Sequence, residues 1–295
     1  MIMVGLILEG GGMRAGFAAG VLMALMEKQT IRFDAAMAVS ASVPTLAYFA
    51  AGQRAEIEAV WRNELNTPKL VCYRNIPVAS LTLSTKRPIL DIDYLVYTVF
   101  KEKYPLNLPA VLTGPMICHF TLTKVPDGKV HFLHPGAYDI YHSFKACLAV
   151  PGCYPGTVPL DGCEYLDGGT VAPLPVKALF EQGLDRVVAV LTKPLDCEME
   201  FPTFLERSLF WRYFRTYDWM LEKLWDAAQA YNDQVAFLEH LAASHPPRAF
   251  ILAPDRMPPA RFITRDRKKI NQTIDMGYKK AKAVEGELIR FLDGA

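Results

Sequence analysis

The feature that most limits what this chain can fold into lies within its first 26 residues. Residues 3–8 form a continuous apolar run that stops at Glu9 and three successive glycines, Gly10, Gly11 and Gly12. Residues 17–26 follow, apolar on almost every side. An apolar run without polar alternation reads as a strand buried on both faces. A helix apolar all round reads as one enclosed at the centre of a fold. A buried strand turning through glycines into a buried helix opens an α/β architecture built on a parallel sheet. Three residues without Cβ let backbone N–H groups converge and let a ligand oxygen approach them. The helix N-terminus behind them makes the turn an anion site.

The same alternation continues. Residues 33–39 read as a second buried strand, 44–51 as a short helix closed by Gly52, and 54–65 as an amphipathic helix. Residues 66–113 lose the pattern, with prolines at 68, 77, 88, 105 and 109, and read as an insertion or cap beside the site. Residues 115–124 and 129–133 read as a hairpin across Pro126-Asp127-Gly128. Beyond them come a helix over 143–150, a loop over 151–158, a helix over 174–183 and a buried strand over 186–191. The stretch 204–243 reads as mostly helical, 248–252 as a last strand and 267–292 as a terminal helix. The expectation is one domain over 1–295, a three-layer α/β/α fold with a central, mostly parallel sheet. Functional groups in such folds gather at the carboxyl ends of the strands.

Composition excludes several functions. A net charge of +1 gives no basic field for nucleic acid and no acidic one for cationic partners. No apolar stretch reaches the roughly 18–20 residues of a membrane-crossing helix, and the opening residues lack the basic start of a signal peptide. The six cysteines form no C-x-x-C pair and have no histidines at zinc spacing. They read as reduced thiols, which points to the cytoplasm. Neither metal nor cofactor is expected.

Two further motifs carry chemistry. Ala38-Val39-Ser40-Ala41-Ser42 closes the second strand and opens the next helix. That is the place of a nucleophile elbow, where a sharp turn lifts a serine hydroxyl out of the sheet. Tyr165-Leu166-Asp167-Gly168-Gly169 on its own is a turn. A dinucleotide reading of Gly10-x-Gly12-x-x-Ala15 needs an acid at the end of the second strand. Asp34 instead opens that strand, and Ser40 ends it.

The order glycine loop, short helix, elbow serine and distant Asp-Gly-Gly resembles the bacterial patatin-like phospholipase family. Residues 6–25, 33–53 and 145–169 are similar to its three blocks, with weaker likeness over 175–194 and 266–283. The resemblance implies a Ser–Asp dyad without histidine, in which Ser40 is the nucleophile and Asp167 the base. It also implies an oxyanion hole at Gly10, Gly11 and Gly12, with Arg14 nearby. The substrate would be a lipid or small carboxylic ester, cleaved through an acyl-serine.

The family has glycine where this chain has Ala15, Ala38 and Ser42. A side chain at a position that needs positive φ costs about 1–2 kcal/mol. These departures motivate a second reading, a catalytically impaired acyl- or lipid-binding protein of the same fold. A third reading is an esterase with a Ser, Asp, His order, using His240 or His245. Against it, His240 falls inside a helical stretch, and both histidines precede the last strand. The aromatics and arginines of 204–219 (among them Trp211 and Trp219) suit a core, a cap or peripheral contact with a membrane.

Overall fold

The computed structural model describes residues 2–28, 30–76, 87–198 and 218–294. Eight strands form one sheet: β1 (Val4–Leu8), β2 (Ala35–Val39), β3 (Ile117–Lys124), β4 (Lys129–Leu133), β5 (Val158–Leu160), β6 (Cys163–Asp167), β7 (Arg186–Val190) and β8 (Ala249–Leu252). The order is β5-β6-β3-β2-β1-β7-β8, with β4 also on β3. Pairing from β3 through β2, β1 and β7 to β8 is parallel throughout. The β3–β4, β3–β6 and β5–β6 pairs are antiparallel.

The uniform hydrophobicity of the central strands has a direct structural cause. Successive side chains alternate faces, and here each face meets its own apolar core. Leu6, Leu8, Ala36, Ala38, Val188 and Val190 join the larger core. Their neighbours Ile7, Ala35, Met37, Val187 and Ala189 join the other. The larger core packs helices α1 (Gly16–Leu25) and α2 (Ser42–Ala50) against the sheet. The second lies under Val176–Glu181 and the long helix Asp218–Ala242. The result is the expected three-layer α/β/α arrangement.

Every residue of α1 is buried because the helix is also covered by the helix Arg267–Ala283. The two cross at van der Waals contact of their backbones. A Cβ on Gly20 would strike the Ile274 carbonyl, and one on Gly277 would strike that of Phe17.

Three elements differ from the sequence reading. The 54–65 helix is α-helical over Arg54–Ala59 and π-helical over Val60–Glu64, which keeps Val60 and Trp61 turned inward. The terminal helix is two, Arg267–Ala283 and Glu285–Asp293, separated at Val284 with φ −107° and ψ 12°. The loop over 151–158 leads into a hairpin, β5–β6, that the sequence reading left out. Its turn is Asp161-Gly162, both at positive φ, the geometry that favours this dipeptide between strands. Of the 204–219 stretch, only residues 218 and 219 fall within the described residues. Trp219 packs over the β3–β4 turn at Gly128.

Candidate active site

Ser40 sits between the end of β2 and the start of α2 with φ 56°. Among the described residues only Asp161 shares a positive φ without being glycine. Such a backbone costs about 1–2 kcal/mol and persists where its surroundings over-determine it. The effect is to raise the hydroxyl above the strand end, with Ser40 only 6% exposed.

The glycine loop fits around it. A Cβ on Gly10 would lie 2.8 Å from the Ser40 Cβ, so glycine is required for contact. Gly11 and Gly12 have φ of 142° and 58°. Hydroxyls hold the loop from two sides. Ser42 Oγ donates to the Glu9 carbonyl at 2.7 Å, and Thr192 Oγ1 to the Gly10 carbonyl at 2.8 Å. The Met13 amide donates to Phe262 O at 3.0 Å. Among the described residues, the amides of Gly10, Gly11 and Gly12 donate to no protein acceptor, which leaves them for a ligand.

Sheet register brings Asp167 to the same point. Val39 pairs with Thr121 of β3, and Asp167 pairs with the next residue, Leu122. Strand β4 pairs with all of 120–124 and so takes the other edge of β3. The carboxyl ends of β2 and β6 therefore meet end to end on one edge, Ser40 against Asp167. The Asp167 backbone is fixed by its amide to Ala149 O at 3.1 Å and by Thr123 Oγ1 to its carbonyl at 2.9 Å. Its Oδ1 accepts from the Gly169 amide at 2.7 Å.

Burial pushes the Asp167 carboxyl up to about 7, while the Ser40 hydroxyl and the Gly169 amide pull it back. No cation is among the groups acting on it. Oδ2 meets no partner at full hydrogen-bond geometry. The Ser40 hydroxyl is therefore close enough to act on the carboxylate, yet not in an optimal bond with it. Such looseness is usual for catalytic contacts without substrate.

Two cavities open at Ser40. One, of about 300 Å³, is lined by Gly10, Gly11, Arg14, Asp167, Lys193 and Tyr231 among others. The other is an apolar slot lined by Ser40, Pro44, Val60, Trp61, Leu70, Leu95 and Phe100 among others. The polar tips of its aromatics are engaged elsewhere, Trp61 Nε1 with Thr45 Oγ1 at 3.0 Å and the Tyr48 hydroxyl with Tyr104 O at 2.5 Å. The slot interior is consequently hydrocarbon in character.

The structure brings together Ser40, Asp167, Gly10, Gly11 and Gly12. It does not bring His240 or His245 there. Both are exposed and lie just before β8, at the amino ends of the parallel strands, whereas Ser40 lies at a carboxyl end. No histidine lines either cavity among the described residues.

The sequence reading missed Glu9, Thr192, Lys193 and Tyr231. The Thr192 amide donates to buried Glu9 Oε2 at 2.6 Å, and Lys193 Nζ lies 3.9 Å from Oε1 and 3.5 Å above the Tyr231 ring. Burial raises the Glu9 carboxyl and lowers the Lys193 ammonium, and each charge pulls the other back. Thr192 and Lys193 follow β7 after a single residue, Leu191, so the carboxyl-end rule would have found them.

None of the three departures from glycine sits at positive φ. Ala15 has φ −62°, and neither Ala38 nor Ser42 is among the positive-φ residues. The steric argument for an impaired site loses its basis, and Ser42 adds a hydrogen bond that glycine cannot make.

The elbow serine, the loop of free amides and the buried aspartate meet at one point of a patatin-like α/β sheet. The chain belongs to the patatin-like phospholipase family, whose model matches residues 6–180. It is 27% identical over 199 residues to the uncharacterized protein YjjU of Escherichia coli (strain K12), covering 65% of this chain and 52% of YjjU. The chain thus spans about half the length of that relative. VipD from Legionella pneumophila shares the fold with TM-score 0.51 at 11% identity, over 96% of this chain and 67% of VipD. Human GIVD cytosolic phospholipase A2, solved with methyl gamma-linolenyl fluorophosphonate, does so with TM-score 0.50 at 12% identity. That match covers 99% of this chain and 59% of the human one.

Proposed function

We propose that the protein is a serine acyl-ester hydrolase acting on lipid or related carboxylic esters through a Ser40–Asp167 dyad. The observation that carries this reading is the end-to-end meeting of β2 and β6, which sets a buried, cation-free carboxylate beside the elbow serine. Ser40 Oγ attacks the ester carbonyl as Asp167 accepts its proton. The oxyanion forms against the free amides of Gly10, Gly11 and Gly12, where each donor contributes about 3–4 kcal/mol to the transition state. The leaving alkoxide takes the proton from Asp167, and an acyl-Ser40 remains. Water, deprotonated by Asp167, then attacks the acyl carbon and releases the carboxylic acid and free Ser40.

The apolar slot receives the acyl chain, and the described parts of the cap, 66–76 and 87–113, supply a wall of it through Leu70, Leu90, Leu95 and Phe100 within a single domain. The second reading, a binding protein without turnover, is favoured by none of the three substituted positions. The test is labelling with a fluorophosphonate ester probe, followed by mapping of the modified residue and assay of ester hydrolysis. Modification at Ser40, and near-background turnover in Ser40→Ala with unchanged circular dichroism, are expected. Folded protein that stays unlabelled and inert would establish the binding-protein reading instead.

A further inference from the structure

We infer that one face beside the slot mouth docks onto an anionic lipid bilayer. The chain as a whole is nearly neutral at +1, but its cations are not spread evenly. Lys69, Arg74 and Arg265 line one surface groove with Pro68, Cys72 and Tyr73. The turn Arg261–Thr264, closed by the Arg261 amide on Thr264 Oγ1 at 2.7 Å, is tied to that groove. The Tyr73 hydroxyl donates to Ile263 O at 2.8 Å and accepts from the Arg265 amide at 3.0 Å. Arg265 stacks on the Tyr73 ring at 4.7 Å. Arg267 extends the cluster and is held by Asn63 Oδ1 at 3.0 Å.

Among the described residues none of these five cations has an acidic partner within ion-pair distance, whereas Lys103, Lys145 and Lys280 elsewhere do. The two nearby acids are turned to backbone amides, Asp91 to Tyr94 and Asp266 to Lys269. Those two carboxylates keep their charge and offset part of the field, so five cations against two acids leave the face with a net positive excess of three. Tyr73, 38% exposed, adds an amphipathic ring of the kind that suits a headgroup layer.

The choice of a bilayer over another polyanion comes from what adjoins the cations. Leu70, next to Lys69, and Phe262, next to Arg261, both line the apolar slot. A lipid drawn from a bilayer against this face would meet the slot without crossing water. The inference rests on the lipid-ester reading above, because that reading fixes what the slot receives.

Each basic side chain at an anionic surface strengthens partition by about fivefold. Removing three such charges costs about a hundredfold, so the charge-reversal variant K69E/R74E/R261E should bind vesicles of mixed phosphatidylcholine and phosphatidylserine at least about a hundredfold less tightly. Sedimentation of the full chain with these vesicles, and with pure phosphatidylcholine, measures it. Binding by the parent that needs phosphatidylserine and weakens in high salt, lost in the variant, is the expected result. The variant should still hydrolyse a soluble short-chain ester at the parental rate, which also reports its folding. The milder K69Q/R74Q/R261Q serves if the charge reversals do not fold. Equal binding to neutral vesicles, no binding to either, retained binding by a folded variant, or capture by heparin but not by vesicles would each overturn the inference. Vesicle binding by a parent without esterase activity would sink the hydrolase reading and leave the docking face standing.

Discussion

The proposed mechanism asks Asp167 to act as a base in a place that disfavours its charge, and the conflict is measurable in two ways. Its carboxyl lies at about 7 because burial outweighs the Ser40 and Gly169 hydrogen bonds. Only the ionised form can take the serine proton, so kcat/KM on a soluble ester should rise about tenfold per pH unit below 7 and level off above it. A profile flat from pH 5 to 8 would remove Asp167 as the base. The same shift has a stability sign. The folded value lies above the ordinary aspartate value of 3.8, so the folded state binds the proton more tightly. Stability is then highest below about 3.8 and falls as pH rises through 7. About three units at ~1.4 kcal/mol each make the ionised carboxylate a burden of roughly 4 kcal/mol. Asp167→Asn should accordingly be inactive yet melt higher than the parent at pH 8, with the gap closing towards pH 4. A lower melting temperature at pH 8 would contradict this account of the site.

At the scale of elements, the glycine loop is held by its neighbours rather than by itself. Ser42 belongs to α2 and Thr192 follows β7, and their hydroxyls grip adjacent carbonyls of the loop. Both side chains are fully buried, so neither bond can be replaced by bulk water. Ser42→Ala with Thr192→Val should lower kcat on the order of a hundredfold while KM stays within a few-fold. In the proposed mechanism the loop amides act on the oxyanion and not on the ground state. Thr192→Ser should recover most of the loss, which a packing defect would not allow. Ala15→Gly and Ala38→Gly should change turnover less than tenfold, since neither position needs glycine's freedom. Equal losses in all these variants would show that the clamps have no special part.

The same elements show what the sequence could and could not reveal. The strand, glycine turn and elbow around Gly10–Gly12 and Ser40 were legible because local backbone sterics dictate them. The hairpin carrying Asp167 was not. Its first strand is three residues with Pro159 at the centre, too short for a periodicity signal, and only Asp161-Gly162 marks its turn. Asp167 therefore read as a residue in a loop, whereas its position is set by pairing with β3 more than forty residues away in sequence. The Glu9–Lys193 pair is equally non-local. The bend at Val284 is marked only by Gly286 two residues on, and a lone glycine inside a helical pattern is tolerated, which is why 267–292 read as one helix.

Across the whole molecule, the sheet separates two tasks. Its carboxyl end holds the elbow, the loop and the aspartate, while the larger core on one face contains the slot. That core is stiffened at the slot wall, where Phe100 meets Tyr48 and Phe144 edge-on with centroids 6.0 and 5.8 Å apart. Leu95 and Phe100 lie on the segment Tyr94–Lys103, inside the proposed cap, so the slot's length is set by an element outside the sheet. If acyl chains enter there, changing those two side chains should move chain-length preference without touching the chemistry. Leu95→Trp adds bulk to a packed wall and costs roughly 1–3 kcal/mol of stability. It should depress kcat/KM for long-chain esters at least tenfold and leave a short-chain ester within a few-fold. Phe100→Leu removes ring volume and should shift the optimum towards longer chains. Short-chain turnover is the internal control, because neither side chain belongs to the Ser40–Asp167 pair or the glycine loop. Should both variants keep the parental chain-length profile while remaining folded, the acyl group must occupy the cavity beside Arg14 and Lys193 instead.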